Sequence, residues 1–334
     1  MKDNIMVLEE NEKVLEVENL SVAFSMYDKG LNKNDLEVIH ELSINVKKGE
    51  IVAVVGSSGS GKSLLAHAIM GILPGNAKVK GNIKFCEENL TEKYLKKIRG
   101  KDIAFIPQSI EFLDPLMKIG KQVIGINGNK EKQREVFKKY DLDDNVADKY
   151  PFQLSGGMAR RVLIATAVMN NVKLIIADEP TPGLNLELAM DTLKHFREIA
   201  NSGCGVLLIT HDVDLALNVA DRIAVFYSGT IVEIAKVYDF IKGKEFLRHP
   251  YSKAFIDALP QNKFKAIPGF QPYAGNLPTG CLFGDRCPIR SEACNKAIEM
   301  RRLRGGEVRC INATWGKKYK LSIQQKFSLD TWKC

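Results

Sequence analysis

Ile51-Val52-Ala53-Val54-Val55, followed by Gly56-Ser57-Ser58-Gly59-Ser60-Gly61-Lys62-Ser63, decides the reading of this chain. A continuous apolar run of this length is a buried strand. The glycines after it let the backbone turn so that successive N–H groups face one point, and a helix start adds positive potential there. The helix shows in Leu64, Leu65, Ala68, Ile69 and Ile72, stopped by Gly71 and Pro74. Strand, glycine-rich loop, Lys-Ser and helix together form a phosphate-binding loop. Gly56, Ser57, Gly59, Ser60, Gly61 and Leu64 are expected around a bound ATP, with Lys62 on its β- and γ-phosphates and Ser63 on Mg²⁺. A plain glycine-rich turn would explain the glycines but not Lys62-Ser63.

Outward from the loop, residues 15–24 and 38–46 read as strands separated by a polar loop at 25–37. Residues 174–177 and 206–210 are further short apolar runs. Between them Leu186, Ala189, Leu193, Phe196 and Ala200 recur at helical steps. Strands alternating with helices predict an α/β fold with a parallel sheet. Residues 109–151 are polar and lysine-rich and read as a short, mostly helical insertion. Residues 223–227 and 230–235 flank Ser228-Gly229, a hairpin signal. After Lys242 the composition shifts to Pro, Gly, Arg and Cys, so the expected division is a nucleotide-binding domain at 1–243 and a small cysteine-containing domain at 244–334.

Leu174-Ile175-Ile176-Ala177-Asp178-Glu179-Pro180 delivers two carboxylates at the end of a strand, where α/β sheets bind ligands. Asp178 suits Mg²⁺, and Glu179 suits the group that orients or deprotonates an attacking water. Leu154-Ser155-Gly156-Gly157-Met158 makes a second anion-binding helix start, 24 residues before Asp178. This set resembles that of ABC ATPases, in which the Ser155-Gly156-Gly157 signature closes over ATP held by a partner chain. The resemblance implies a P-loop cassette with a RecA-like core, a β subdomain and a helical subdomain. It also implies a Mg²⁺ and water contact for Gln108, a γ-phosphate contact for His211, and an adenine-stacking aromatic at Phe24, with Tyr27 the alternative. Two positions depart from the family: Asn185 stands where Asp is usual, and Arg160 where importer subunits usually carry glutamine.

The resemblance narrows along the C-terminal third. His249-Pro250-Tyr251-Ser252-Lys253, Ala258-Leu259-Pro260, Ile267-Pro268-Gly269, Leu277-Pro278-Thr279-Gly280-Cys281-Leu282-Phe283 and Arg286-Cys287-Pro288 are similar to the oligopeptide, dipeptide and nickel importer branch. This implies an ATP-hydrolysing motor subunit of an importer for peptides or a small solute such as chelated nickel. Its partners would be a related, non-identical ATPase, two membrane permease subunits and an extracytoplasmic solute-binding protein. It would sit as a peripheral protein on the cytoplasmic face of the membrane. An exporter subunit is the alternative.

Cys281, Cys287, Cys294 and Cys310 lie within thirty residues, without a Cys-x-x-Cys pair and without histidine nearby. Four thiolates suit an iron–sulfur centre, and the resembled branch carries a 4Fe-4S cluster at matching cysteines. Zinc, disulfides and free thiols are the other readings.

The net charge of +8 is uneven: residues 242–334 hold 18 Lys and Arg against 7 Asp and Glu. The expectation is a solvated basic face toward anionic lipid or an acidic partner, not a nucleic-acid site. The first residues lack a basic segment leading into an apolar run, and no apolar run approaches the ~20 residues of a membrane helix.

Overall fold

A computed structural model describes residues 12–27, 33–125 and 128–314. The opening residues 1–11 and Cys334 therefore lie outside the described residues, as do residues 28–32 of the expected polar loop. Among the described residues the strands form two sheets, one of four strands and one of eight.

The smaller sheet is antiparallel, in the order β2-β1-β4-β5. It contains β1 (Lys13–Tyr27), β2 (Lys33–Lys47), β4 (Ala77–Phe85) and β5 (Glu88–Asn89). Its first two strands run into the region expected as loop, because polar side chains there pair across strands. Ser25 Oγ donates to Asp35 at 2.7 Å and Lys78 Nζ donates to the same carboxylate at 2.7 Å. β4 has one buried position and no clean alternation, so the sequence pattern did not announce it.

The larger sheet runs β11-β12-β10-β9-β3-β8-β7-β6. Its parallel part is β3 (Ile51–Val55), β6 (Ile103–Ile106), β7 (Leu174–Asp178), β8 (Gly205–Thr210) and β9 (Arg222–Tyr227). β10 (Thr230–Lys236), β11 (Arg301–Leu303) and β12 (Gly306–Val308) continue it antiparallel. β3, β7 and β8 are buried on both faces, as expected of uninterrupted apolar runs. The β9–β10 turn is Ser228-Gly229, both at positive φ (47° and 86°), the geometry of a two-residue hairpin turn.

Around the sheets lie α1 (Lys62–Met70), α2 (Glu92–Ile98), α3 (Ile119–Ile124), α4 (Lys130–Lys139), α5 (Gly156–Val168) and α6 (Leu186–Asn201). α7 (Val213–Val219), α8 (Val237–Ile241) and α9 (Pro250–Ala258) follow. The expected insertion holds α3, α4 and two short 3₁₀ turns, with a third beginning at its last residue. α6 buries Ala189, Leu193, Phe196 and Ala200 of the stripe that its periodicity predicts, while Leu186 at its first position is exposed.

The segment after residue 244 is joined to the core. Leu247, Tyr251 and Phe283 belong to the main apolar cluster, and β12 pairs with β10 through Glu233–Val308 and Ile234–Glu307. Glu233 is fully buried and takes hydrogen bonds from the backbone N–H of Arg248 and His249 at 2.8 and 2.7 Å and from Arg248 Nη1 at 3.2 Å. Arg248 also donates to Leu303 O at 2.6 Å and to Asp239 at 2.7 Å. One buried guanidinium thus clamps β10, α8 and the β11–β12 hairpin together.

Candidate functional site

The parallel register brings the expected residues to one edge. Val55 lies opposite Thr210, and Asp178 opposite Ile209, so Gly56, Glu179 and His211 all leave their strands at the same end of the sheet. Ile106 pairs with Ala177, which brings Gln108 to that edge from the neighbouring strand.

Gly56 has to be glycine, because a Cβ there would meet Phe226 O at 2.5 Å. Gly59 and Gly61 take φ of +73° and +101°, which L side chains rarely adopt. Gly61 precedes α1 with no side-chain cap, so the first N–H groups of α1 are left for an anion. Lys62 is buried and donates to Gly56 O at 3.0 Å and Ser57 O at 2.9 Å, gathering the loop around its ammonium. Burial lowers its pKa, against the opposing pull of the Glu179 and Asp178 charges. Ser60 is buried with its hydroxyl unpaired.

Asp178 is 2% exposed and its Oδ1 has no partner. Burial raises its pKa, while a hydrogen bond with Ser63 pulls it down. A hydroxyl and a carboxylate oxygen side by side are hard ligands, and Mg²⁺ commonly takes only one or two from protein, with phosphate and water completing the shell. The pair therefore fits the ion expected of an ATP site. Glu179 sits at φ 48°, a strained turn that carries its carboxylate to within 2.6 Å of His211 Nδ1. This places next to each other the two residues expected to serve the water and the γ-phosphate. The His211 side chain is 56% exposed, so the pair faces the open side of the site.

Ser155 caps α5, accepting from Met158 N at 3.3 Å, and nothing lies within 4 Å of where a Cβ would stand on Gly156 or Gly157. The signature therefore presents an open helix start. Gln108 is exposed and Phe24 half-buried against the smaller sheet's core, with Tyr27 more exposed at the end of β1.

Arg160 was singled out from sequence only as a departure. It is buried, donating to Pro107 O at 2.8 Å and to Gln108 O, and so ties the signature helix to the backbone that carries Gln108. Its position as the fifth residue of the signature helix was the available signal; its reach across 52 residues was not. Asn185, the other departure, caps α6 by accepting from Leu188 N at 2.8 Å, a role that Asp fills equally.

None of the four clustered cysteines is in a disulfide. Cys281 N donates to Cys294 O at 2.9 Å, and Cys287, Cys310 and Cys294 all act on the ionisation of Cys281, whose thiol burial pushes up to about 11. They share one neighbourhood, yet among the described residues no group of three or more His, Cys, Asp or Glu is arranged to hold a metal ion. The donor chemistry suits a cluster; the arrangement does not form one.

A phosphate loop, a carboxylate pair two strands away and an open signature helix define an ATP-hydrolysing cassette of the ABC class. The ABC transporter family model matches residues 39–182, and the oligopeptide/dipeptide transporter C-terminal region matches residues 232–294. The oligopeptide transport ATP-binding protein AppD of Bacillus subtilis is 34% identical, over 89% of this chain and 96% of its own length. The oligopeptide transport ATP-binding protein OppD of Lactococcus lactis is 32% identical, over 95% of this chain and 98% of its own. A dimeric bacterial ABC transporter cassette of known structure aligns with a TM-score of 0.60 at 27% identity, covering 67% of this chain and 98% of that one. The chain belongs to the ATP-binding proteins of the oligopeptide/dipeptide ABC transporter family, and it is an ABC ATPase.

Proposed function

We propose that this chain is the ATP-hydrolysing subunit of a peptide importer, working as one half of a pair with a related, non-identical cassette. The observation that carries the reading is the meeting of Lys62, Asp178 and Glu179–His211 at one sheet edge while the glycines that open the signature helix face open space. A site built this way needs the signature of another chain to cover its phosphates. The names of the similar proteins favour peptide cargo over chelated nickel, and kinship over most of the chain with that branch favours import over export. Two permease subunits and an extracytoplasmic solute-binding protein would complete the assembly on the cytoplasmic face of the membrane. Among the described residues no helix is long and apolar enough to cross a membrane. The contact with the permeases is expected at the insertion, where Ile110, Phe112, Met117 and Leu116, the last 88% exposed, present apolar surface beside Gln108. Phe24 is the adenine-stacking residue in this reading, and residues 244–334 act as an appended C-terminal unit.

Co-expression with permeases, companion ATPase and binding protein should give Mg²⁺-dependent ATP hydrolysis that rises with peptide-loaded binding protein. Lys62→Ala should abolish nucleotide binding, and Glu179→Gln should keep it while stalling turnover. Wild-type turnover by Glu179→Gln in the assembled transporter would refute the role given to that carboxylate.

The 4Fe-4S cluster at Cys281, Cys287, Cys294 and Cys310 belongs to the same reading, supported by the donor set and the shared neighbourhood. Each cysteine would hold iron as its thiolate, its proton released to solvent. Protein purified without oxygen should be brown and hold roughly four irons per chain. Colourless protein carrying stoichiometric zinc would decide against it.

A further inference from the structure

We infer that Gln271 is a positioning residue for the phosphate-binding loop, fixing Ser57 from outside so that the loop is set for nucleotide. The inference rests on the nucleotide-site reading of that loop and adds a contact from the far C-terminal segment. Ser57 Oγ donates to Gln271 Oε1 at 3.3 Å, across 214 residues of sequence. The next residue is held as well: Pro272 O accepts from Ser228 Oγ at 3.3 Å. Ser228 lies in the β9–β10 turn, two residues after the Phe226 whose carbonyl oxygen leaves Gly56 no room for a side chain. Upstream, Arg286 grips the incoming backbone, donating to Pro268 O at 2.8 Å and Ile267 O at 3.0 Å, and anchors it to the Tyr227 hydroxyl at 3.2 Å. The strap is therefore pinned on both sides of Gln271 to the strand that walls the loop.

Burial does not explain the contact. Gln271 is exposed, and its neighbour Phe270 is 96% exposed, so the segment gains little from packing at this point. The side chain that turns inward is the one that meets the loop. The contact joins the loop to a segment more than two hundred residues away in sequence. Cradling phosphate requires several backbone N–H groups to point one way. Each loop residue restrained beforehand is one whose ordering is not charged to binding. The oxygen–oxygen distance is long for a hydroxyl donor, which puts the effect at the lower end of what a hydrogen bond contributes.

The test is calorimetric titration of the full chain with Mg²⁺ and a non-hydrolysable ATP analogue, paired with turnover at saturating ATP in the assembled transporter. Gln271→Ala should weaken binding roughly two- to fivefold while leaving the saturated rate unchanged. Ser57→Ala with Gln271→Ala should be no weaker than Ser57→Ala alone, because both remove one contact. Unchanged affinity in Gln271→Ala, losses that multiply in the double variant, or a fall in the saturated rate together with the melting temperature would each overturn the inference. Lys62→Ala serves as the control. If it binds the analogue like wild type, the nucleotide-site reading itself has failed, whatever Gln271 does.

Discussion

Arg160 spends its guanidinium on two carbonyl oxygens, those of Pro107 and Gln108, in a place that Asp178 and Glu179 also influence. Burial lowers its pKa and those carboxylates hold it up, so the charge stays where it can grip backbone. Hydrogen bonds to a charged group contribute about 1.5–3 kcal/mol each. Arg160→Ala should lower the melting temperature and cut ATP turnover more than nucleotide affinity, since the Gln108 segment loses its anchor. Arg160→Lys should not restore turnover, because an ammonium cannot fork to two acceptors as guanidinium does. Equal turnover in Arg160→Ala and wild type would remove the positioning role. At this scale the sequence was legible where a residue type is forced by chemistry, as in Gly56, Lys62 and Asp178. It was silent where a long side chain reaches far, as Arg160 and Gln271 do, because no local pattern records which distant carbonyl or hydroxyl will be waiting.

Helix α9 is capped by His249, whose Nδ1 accepts from Tyr251 N at 3.0 Å. Burial drives the pKa of His249 down to about 3 from an ordinary 6.5, with a hydrogen bond involving Arg309 opposing it. Between those values the unfolded chain holds the proton and the folded chain does not, so stability is lost as pH falls from 6.5 toward 3. His249→Asn keeps an N-cap acceptor without a titrating ring. Its melting temperature should decline less steeply than that of wild type over this window; parallel curves would show that other groups govern acid sensitivity. Elements with one strong period were readable in advance, as α6 and β3 show. β4 was not, since Phe85 alone of its residues is buried and the strand shows no alternation to follow.

The whole molecule is less divisible than its composition suggests. A chain ending at residue 243 would lose Leu247, Tyr251 and Phe283 from the main cluster, at about 1.5–3 kcal/mol for each large apolar side chain. It would also leave Glu233 buried without Arg248, a break of roughly 3–5 kcal/mol. Together these rival the ~5–15 kcal/mol that holds a domain folded. The truncated chain should show no cooperative melt and should collect in the insoluble fraction; a sharp transition at the full-length temperature would mean that the two parts fold independently. Charge follows the same logic in part. Of the basic residues after Lys242, Arg248, Arg286, Arg301, Arg304 and Arg309 donate to main-chain carbonyls. A count of charges cannot separate those facing water from those tying loops.

The β11–β12 hairpin also determines how the large sheet ends. Without it, β10 would offer a row of unpaired N–H and C=O groups, a template on which any extended segment can dock. With it, the outermost strand is three residues long and reads Arg301-Arg302-Leu303, with both arginines exposed. A strand so short and so positively charged is a poor partner for another copy of itself. Self-association in a crowded cell is thus held off at the sheet's margin, and neutralising Arg302 bears on solubility before it bears on catalysis.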